Sequence, residues 1–166
     1  MKEIDGIVIK DGQIILNSGE ELSIDQMIEG ARNIVFFNNR HFKDTKIKGI
    51  ADLRVVFENC IFENVFFENC DLREMGFKNH TVIRNCTFKR CNLNGTLFYD
   101  SYIISSTFLS CQIKRPLLEN VSEIRDCLFK QCKMHDIFFP LPAFQNNKFI
   151  GKLSECTFGS KTKKVE

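Results

Sequence analysis

A chain of 166 residues, 43% hydrophobic and 27% charged, is long enough for one domain with a core and too apolar to stay disordered. Its 23 basic residues against 21 acidic ones leave a formal charge of +2, which argues against a dedicated nucleic-acid binder and against a strongly acidic mimic of one. No stretch approaches the roughly 18 apolar residues of a membrane helix, and the opening MKEIDGIVIKDG lacks the apolar core of a signal peptide. A soluble, cytoplasmic protein is expected, with export by a route that needs no signal peptide left open.

In chain order, residues 1–55 read as an N-terminal cap of mixed α/β character leading into a first coil of repeats. Ile7-Val8-Ile9 and Ile14-Ile15-Leu16 flank Asp11-Gly12, the pattern of a β-hairpin. Ser23 and Gln26 have the spacing of a capping box, which predicts a short helix over residues 24–31.

From residue 56 the chain changes character. Apolar residues recur every fifth position: Phe57, Phe62, Phe67, Leu72, Phe77, Val82, then, after one extra residue near Asn85, Phe88, Leu93, Phe98, Ile103, Phe108, Ile113, Leu118. After a second extra residue within 119–122 come Ile124, Phe129, Met134, Phe139, Phe144, Phe149. A deletion near Ile150 then leads to Leu153 and Phe158. These 21 positions hold 12 of the 17 Phe. A helix repeats at three and four residues and a strand at two, so a period of five belongs to neither. All 8 Cys fall two residues before one of these centres, in a column otherwise mostly small or apolar, which checks the frame independently. Two residues after the centres stand turn formers such as Asn59, Asn64, Asn69, Gly95, Asp100 and Asp126. Residues 159–166 form a polar, basic tail.

Segments such as FENCIFENVFFENCDLREMGF and CTFKRCNLNGTLF resemble the pentapeptide-repeat family over about residues 55–158, with a possible start near Phe37, Phe42 and Ile47. The resemblance implies an all-β fold, a right-handed quadrilateral β-helix with four pentapeptides per square coil. Twenty-one units make about five coils, a rod about 24 Å long at about 4.8 Å per coil. Each coil would bury its apolar residues only by stacking on its neighbours. The sequence departs from the family's commonest pattern where Met75, His80, Ile137, Pro116 and Pro142 take the small column, and the PLPAF segment reads as a bent or bulged corner.

Counting units in fours assigns faces. Cys70, Cys91, Cys111 and Cys132 then form a ladder, read as small buried hydrophobes, because stacked Cβ atoms about 4.8 Å apart exceed disulfide range and a straight ladder cannot surround zinc. His80 reads as an inward residue. Glu58, Glu63 and Glu68 point from different faces, with Lys78 opposite Glu58 and Lys89 opposite Glu68, which suggests cross-coil ion pairs rather than an acid/base pair. Asn-x-Ser/Thr triplets at Asn79, Asn85, Asn94 and Asn120 read as accidents of Asn-rich turns. No catalytic residue, cofactor, metal or small-molecule substrate is indicated.

The residue before each centre should point outward. On the Phe57 face these are Val56, Gly76, Leu97, Leu117, Phe138 and Thr157, with Tyr99 beside them and Tyr102 and Ile104 on the next face. The Cys-ladder face shows Asp71, Asn92, Gln112, Lys133 and Lys152 instead. Leu97, Tyr99, Tyr102, Leu117 and Phe138 are therefore the candidate interaction surface, for a protein partner or a second copy of the chain. The resemblance adds an alternative, a protein that shields DNA gyrase from quinolones or toxins by imitating duplex DNA, and beside it a bacterial effector or immunity protein. Such a DNA mimic needs an acidic rod, whereas residues 57–166 carry 15 basic and 12 acidic residues.

Overall fold

A chain with an apolar residue every fifth position turns a corner after each one, so four units return it to its starting face one strand spacing further on. The computed structural model has this arrangement. It describes residues 37–49, 55–116, 118 and 120–157 in full, and the backbone alone of strands within residues 2–36, of Arg54 and of residues 158–159. The strands are stacked in parallel ladders on four sides, about six turns in all, with no helix among the described residues.

The registers fix the faces. Phe37, Phe57, Phe77 and Phe98 stack on the first face, and Phe139 pairs with Phe158 further along it. Phe42, Phe62, Ile83, Ile103, Ile124 and Phe144 make the second. Ile47, Phe67, Phe88, Phe108, Phe129 and Phe149 make the third. On the fourth, Ile113, Met134 and Leu153 are in register, and isolated bridges join Asp71, Asn92 and Gln112. The ladders therefore begin upstream of residue 56, with the Phe37, Phe42 and Ile47 strands as a first turn.

Burial follows the period. Phe62, Phe67, Phe77 and Phe88 are fully buried, and Phe67, Phe88, Phe108 and Phe129 stack face on face with centroids 4.6 to 4.8 Å apart. The corners explain the Asn, Asp and Gly pattern. Asn59, Asn64, Asn69, Asp100, Asp126 and Gly95 all have φ between 49° and 68°, the left-handed region these residue types tolerate best. Asn side chains add rungs between corners, such as Asn64 Nδ2 donating to Asp44 Oδ1 at 2.7 Å.

Three expectations are corrected. The first inserted residue lies at Asn79–His80, two consecutive left-handed residues, and Asn85 is an ordinary corner. In consequence Ile83, not Val82, points inward, Thr81 takes the small column, and His80 is exposed beside Asp100 at 3.3 Å. At the second insertion Val121 is buried while Ser122 is half-buried, so the extra residue is Ser122. In the N-terminal region Gln26–Ile28 is a strand, not part of a helix, and pairs antiparallel with Ile34–Phe36 at the end of the first face. An open sheet edge offers backbone partners along its whole length, which outweighs a weak local capping signal. The rest of the expected helix lies outside the described residues.

The hairpin is present, with Ile7–Lys10 paired to Gln13–Leu16 and Lys10 opposite Gln13. Lys2–Asp5 adds a parallel strand before Thr45–Lys48, so N-terminal segments extend the open ends of two faces. PLPAF forms a turn at Leu141–Ala143 containing a cis Leu141–Pro142 bond.

Candidate functional site

Inside the coils a void of about 30 Å³ is lined by apolar side chains including Leu93, Ile103, Leu118 and Ile124. That is room for about one water and nothing larger.

The thiols are structural. Seven of the eight Cys are buried, all are free, and each buried sulfur donates to the carbonyl of an inward residue one coil earlier: Cys60 to Phe37, Cys86 to Phe62, Cys111 to Phe88, Cys132 to Phe108. Thr96 donates to Leu72 in the same way at 2.8 Å. The column therefore needs a small residue, and a weak donor there satisfies a carbonyl turned into the core. Burial raises the Cys86 thiol to about 12 and the Cys127 thiol to about 11. Cys91, between the Cys111 and Cys70 thiols and away from water, is raised too. These are protonated, inert sulfurs. Among the described residues no group of three or more His, Cys, Asp or Glu is arranged to hold a metal ion.

The carboxylates are spread over the surface in ion pairs. Glu68 meets Arg90 at 2.7 Å, Lys46 at 3.0 Å and Lys89 at 3.4 Å, and the hydrogen bond from Lys46 leads the effects that hold its carboxyl below the usual range. Glu63 is lowered likewise, chiefly by its hydrogen bond from Arg84 at 3.0 Å. The expected pairing of Lys89 with Glu68 is present, and Glu58 stands in register with Lys78.

The outward apolar residues gather at one corner. Leu97 and Tyr99 flank inward Phe98 on the first face, Leu97 half-buried and Tyr99 45% exposed. The chain turns at Asp100, and Tyr102 and Ile104 flank inward Ile103 on the second face. Along that face Ile61, Val82 and Tyr102 are in register, one per coil, with Ile61 37% exposed. Leu97, Tyr99 and Tyr102 are thus brought together, and Ile61 and Val82 extend them. Val82 was missed because the misplaced insertion sent it inward; the small size of Thr81 beside His80 was the signal that corrects it.

The expected stripe is shorter than the sequence suggested. Val56 is only 5% exposed and Gly76 is buried, with the Lys78 side chain across it: a Cβ on Gly76 would meet Lys78 Cε at 3.1 Å. Phe138 is half-buried and pairs with Thr157, further along the first face, and Leu117 between lies outside the described residues. On the second face the apolar column ends at Glu123, which pairs with Arg125 at 2.8 Å.

Period, four-sided coil and parallel register together make this chain a four-sided parallel β-solenoid of five-residue repeats. No family model and no curated protein matches it. Among solved structures it is similar to a trypsin-treated form of QnrB1, a plasmid-mediated fluoroquinolone resistance protein, at 14% identity over 75% of this chain and 67% of that one, with a TM-score of 0.28. It is also similar to the pentapeptide-repeat protein Rfr23 from the cyanobacterium Cyanothece 51142, at 6% identity over 76% and 87% of the two chains, TM-score 0.28.

Proposed function

We propose that this chain is a non-enzymatic binding module whose contact surface is the corner formed by Ile61, Val82, Leu97, Tyr99, Tyr102 and Ile104, with a partner protein as its occupant. The carrying observation is the in-register column Ile61–Val82–Tyr102 meeting Leu97 and Tyr99 around one turn. Interface cores are depleted of charge and enriched in aromatic residues such as Tyr, and a β-solenoid supplies a rigid platform by stacking. Catalysis has no support in Glu63 and Glu68, which sit in surface ion pairs, or in the thiols, seven of which are buried in the small column.

The test is Leu97→Lys with Tyr102→Lys. Both side chains are half-buried, so the variant should keep its β circular dichroism. Proteins retained from a lysate by the wild type and lost by the variant, with both chains of the same mass in light scattering, would support a separate partner. Identical retention by both would refute the corner as the contact surface. A wild-type dimer that becomes a folded monomer would make the occupant a second copy.

A further inference from the structure

Diagonally across the coil from the apolar corner lies the corner between the third and fourth faces. In the last three coils the two faces that meet there carry five Lys within residues 107–114, 128–133 and 148–153: Lys130, Lys133 and Lys152 stand at the corner itself and Lys114 and Lys148 at the outer ends of the two faces, with Asp126, Asp136 and Glu155 at the neighbouring corners. The registers stack them: Thr107, Leu128 and Lys148 form one column, Leu109, Lys130 and Ile150 the next, and Gln112 pairs with Lys133 around the turn. Lys114, Lys130, Lys133, Lys148 and Lys152 are all exposed. None of the five makes an ion pair with a described residue. Cations of the earlier coils differ: Lys46, Lys89 and Arg90 surround Glu68, and Arg84 holds Glu63.

Five like charges on three coils, two strand spacings or about 10 Å along the axis, repel one another, and none of them is in an ion pair among the described residues. Residues 160–166 carry Lys161, Lys163 and Lys164 against Glu166 and so add no net acidic charge. The strand Lys2–Asp5 sits at the far end of the third face, five strands from Leu128–Lys130 in the ladder. We infer that this corner is a second docking surface, for an acidic protein segment that also carries apolar side chains. The apolar part of the match comes from Leu109 and Leu128, half-buried among the lysines, and from Ile150, 43% exposed. A phosphodiester strand would leave those three uncovered. The corner also lacks the exposed aromatics that stack bases and the Arg forks that grip phosphates.

The probe is a labelled 15-residue peptide of repeating Glu-Glu-Leu, read by fluorescence anisotropy beside a labelled 15-nucleotide oligothymidylate, at low and physiological salt. The expected result is peptide binding at low salt, weakened by added salt, and at least tenfold weaker when the five lysines become Gln. Oligothymidylate should bind less tightly than the peptide. A control with Lys43, Lys78, Arg84 and Arg125 changed to Gln should keep peptide binding within about twofold. If the fivefold variant loses its β signal, Lys130→Gln with Lys133→Gln replaces it, with an expected loss of about threefold. Tighter binding of the oligonucleotide, no peptide binding at low salt, or an equal loss in the control would overturn the inference.

Discussion

The buried thiols make stability fall at alkaline pH in a way that can be isolated. Cys86 and Cys127 are 1% and 2% exposed, and burial raises them from 9.0 to about 12 and about 11. The folded state then holds their protons where the unfolded chain releases them. For a group raised on folding, the contribution is complete below the unfolded value, near 9, and is lost as pH climbs through the folded value. Each thiol therefore costs about 1.4 kcal/mol per pH unit above 9, or about 3 kcal/mol for the pair at pH 10. Lys and Tyr titrate in the same range, so the measurement is a difference between wild type and Cys86→Ser/Cys127→Ser. Serine suits this column: Ser106 stands between the two, accepting from the Cys86 amide at 3.1 Å and donating to the Ile104 carbonyl at 3.0 Å. Urea unfolding followed by circular dichroism at pH 7, 9 and 10 should show the wild type losing about 3 kcal/mol more than the variant between pH 7 and 10. Parallel curves for the two proteins would refute the reasoning, because the thiols would then ionise alike folded and unfolded.

Other expectations concern packing and corners. Phe88→Ala removes a fully buried ring stacked 4.6 Å from Phe67 and 4.8 Å from Phe108 and should cost about 3–5 kcal/mol in urea unfolding. The half-buried Phe149 of the last coil should cost clearly less when changed to Ala. Leu118→Phe, at the edge of the 30 Å³ void, should add up to about 0.7 kcal/mol at about 24 cal/mol per Å³ filled, and a lowered Tm would show that the void cannot take the ring. Asn64→Ala puts a Cβ-bearing residue without amide bonding at φ 53° and breaks the bond to Asp44, for a loss of about 1–2 kcal/mol, with Asn64→Gly milder. With Ellman's reagent the native protein should show one fast thiol, the half-buried Cys156, and all eight after denaturation.

Much of this architecture was legible because the period of five is enforced at every coil. Phe57, Phe77 and Phe98, or Cys70, Cys91, Cys111 and Cys132, fall on common faces simply by counting units in fours. Where the count was ambiguous, the ambiguity was physical. Val82 and Ile83 are adjacent and equally apolar, so one extra residue fits on either side of Thr81. What decides it is the corner, since Asn79 and His80 both adopt left-handed φ and leave Thr81 to donate to the Phe57 and Lys78 carbonyls. That choice also decides whether Val82 faces core or solvent. The strand at Gln26–Ile28 depends on an open sheet edge that exists only after the coils stack, so a local capping pattern could not reveal it.

The surface was less legible than the core for a related reason. Inward positions answer to one rule, apolar and of the right size, whereas an outward residue's exposure depends on its neighbours in the coils above and below. Gly76 belongs to the expected stripe by position, yet the Lys78 side chain lies across it. The lysines at the opposite corner look ordinary one at a time, in a chain with only +2 of net charge. Stacking is what turns five of them, from segments up to forty residues apart, into one unpaired field. Both proposed surfaces are therefore products of the coil rather than of any local motif. A deletion of one five-residue unit between Gln112 and Leu128, for example, would turn every later face by one side and separate Lys130 and Lys133 from Leu109 and Gln112. It should abolish binding of the acidic peptide even if the protein remained a folded solenoid, whereas deletion of one whole coil should leave the two corners aligned.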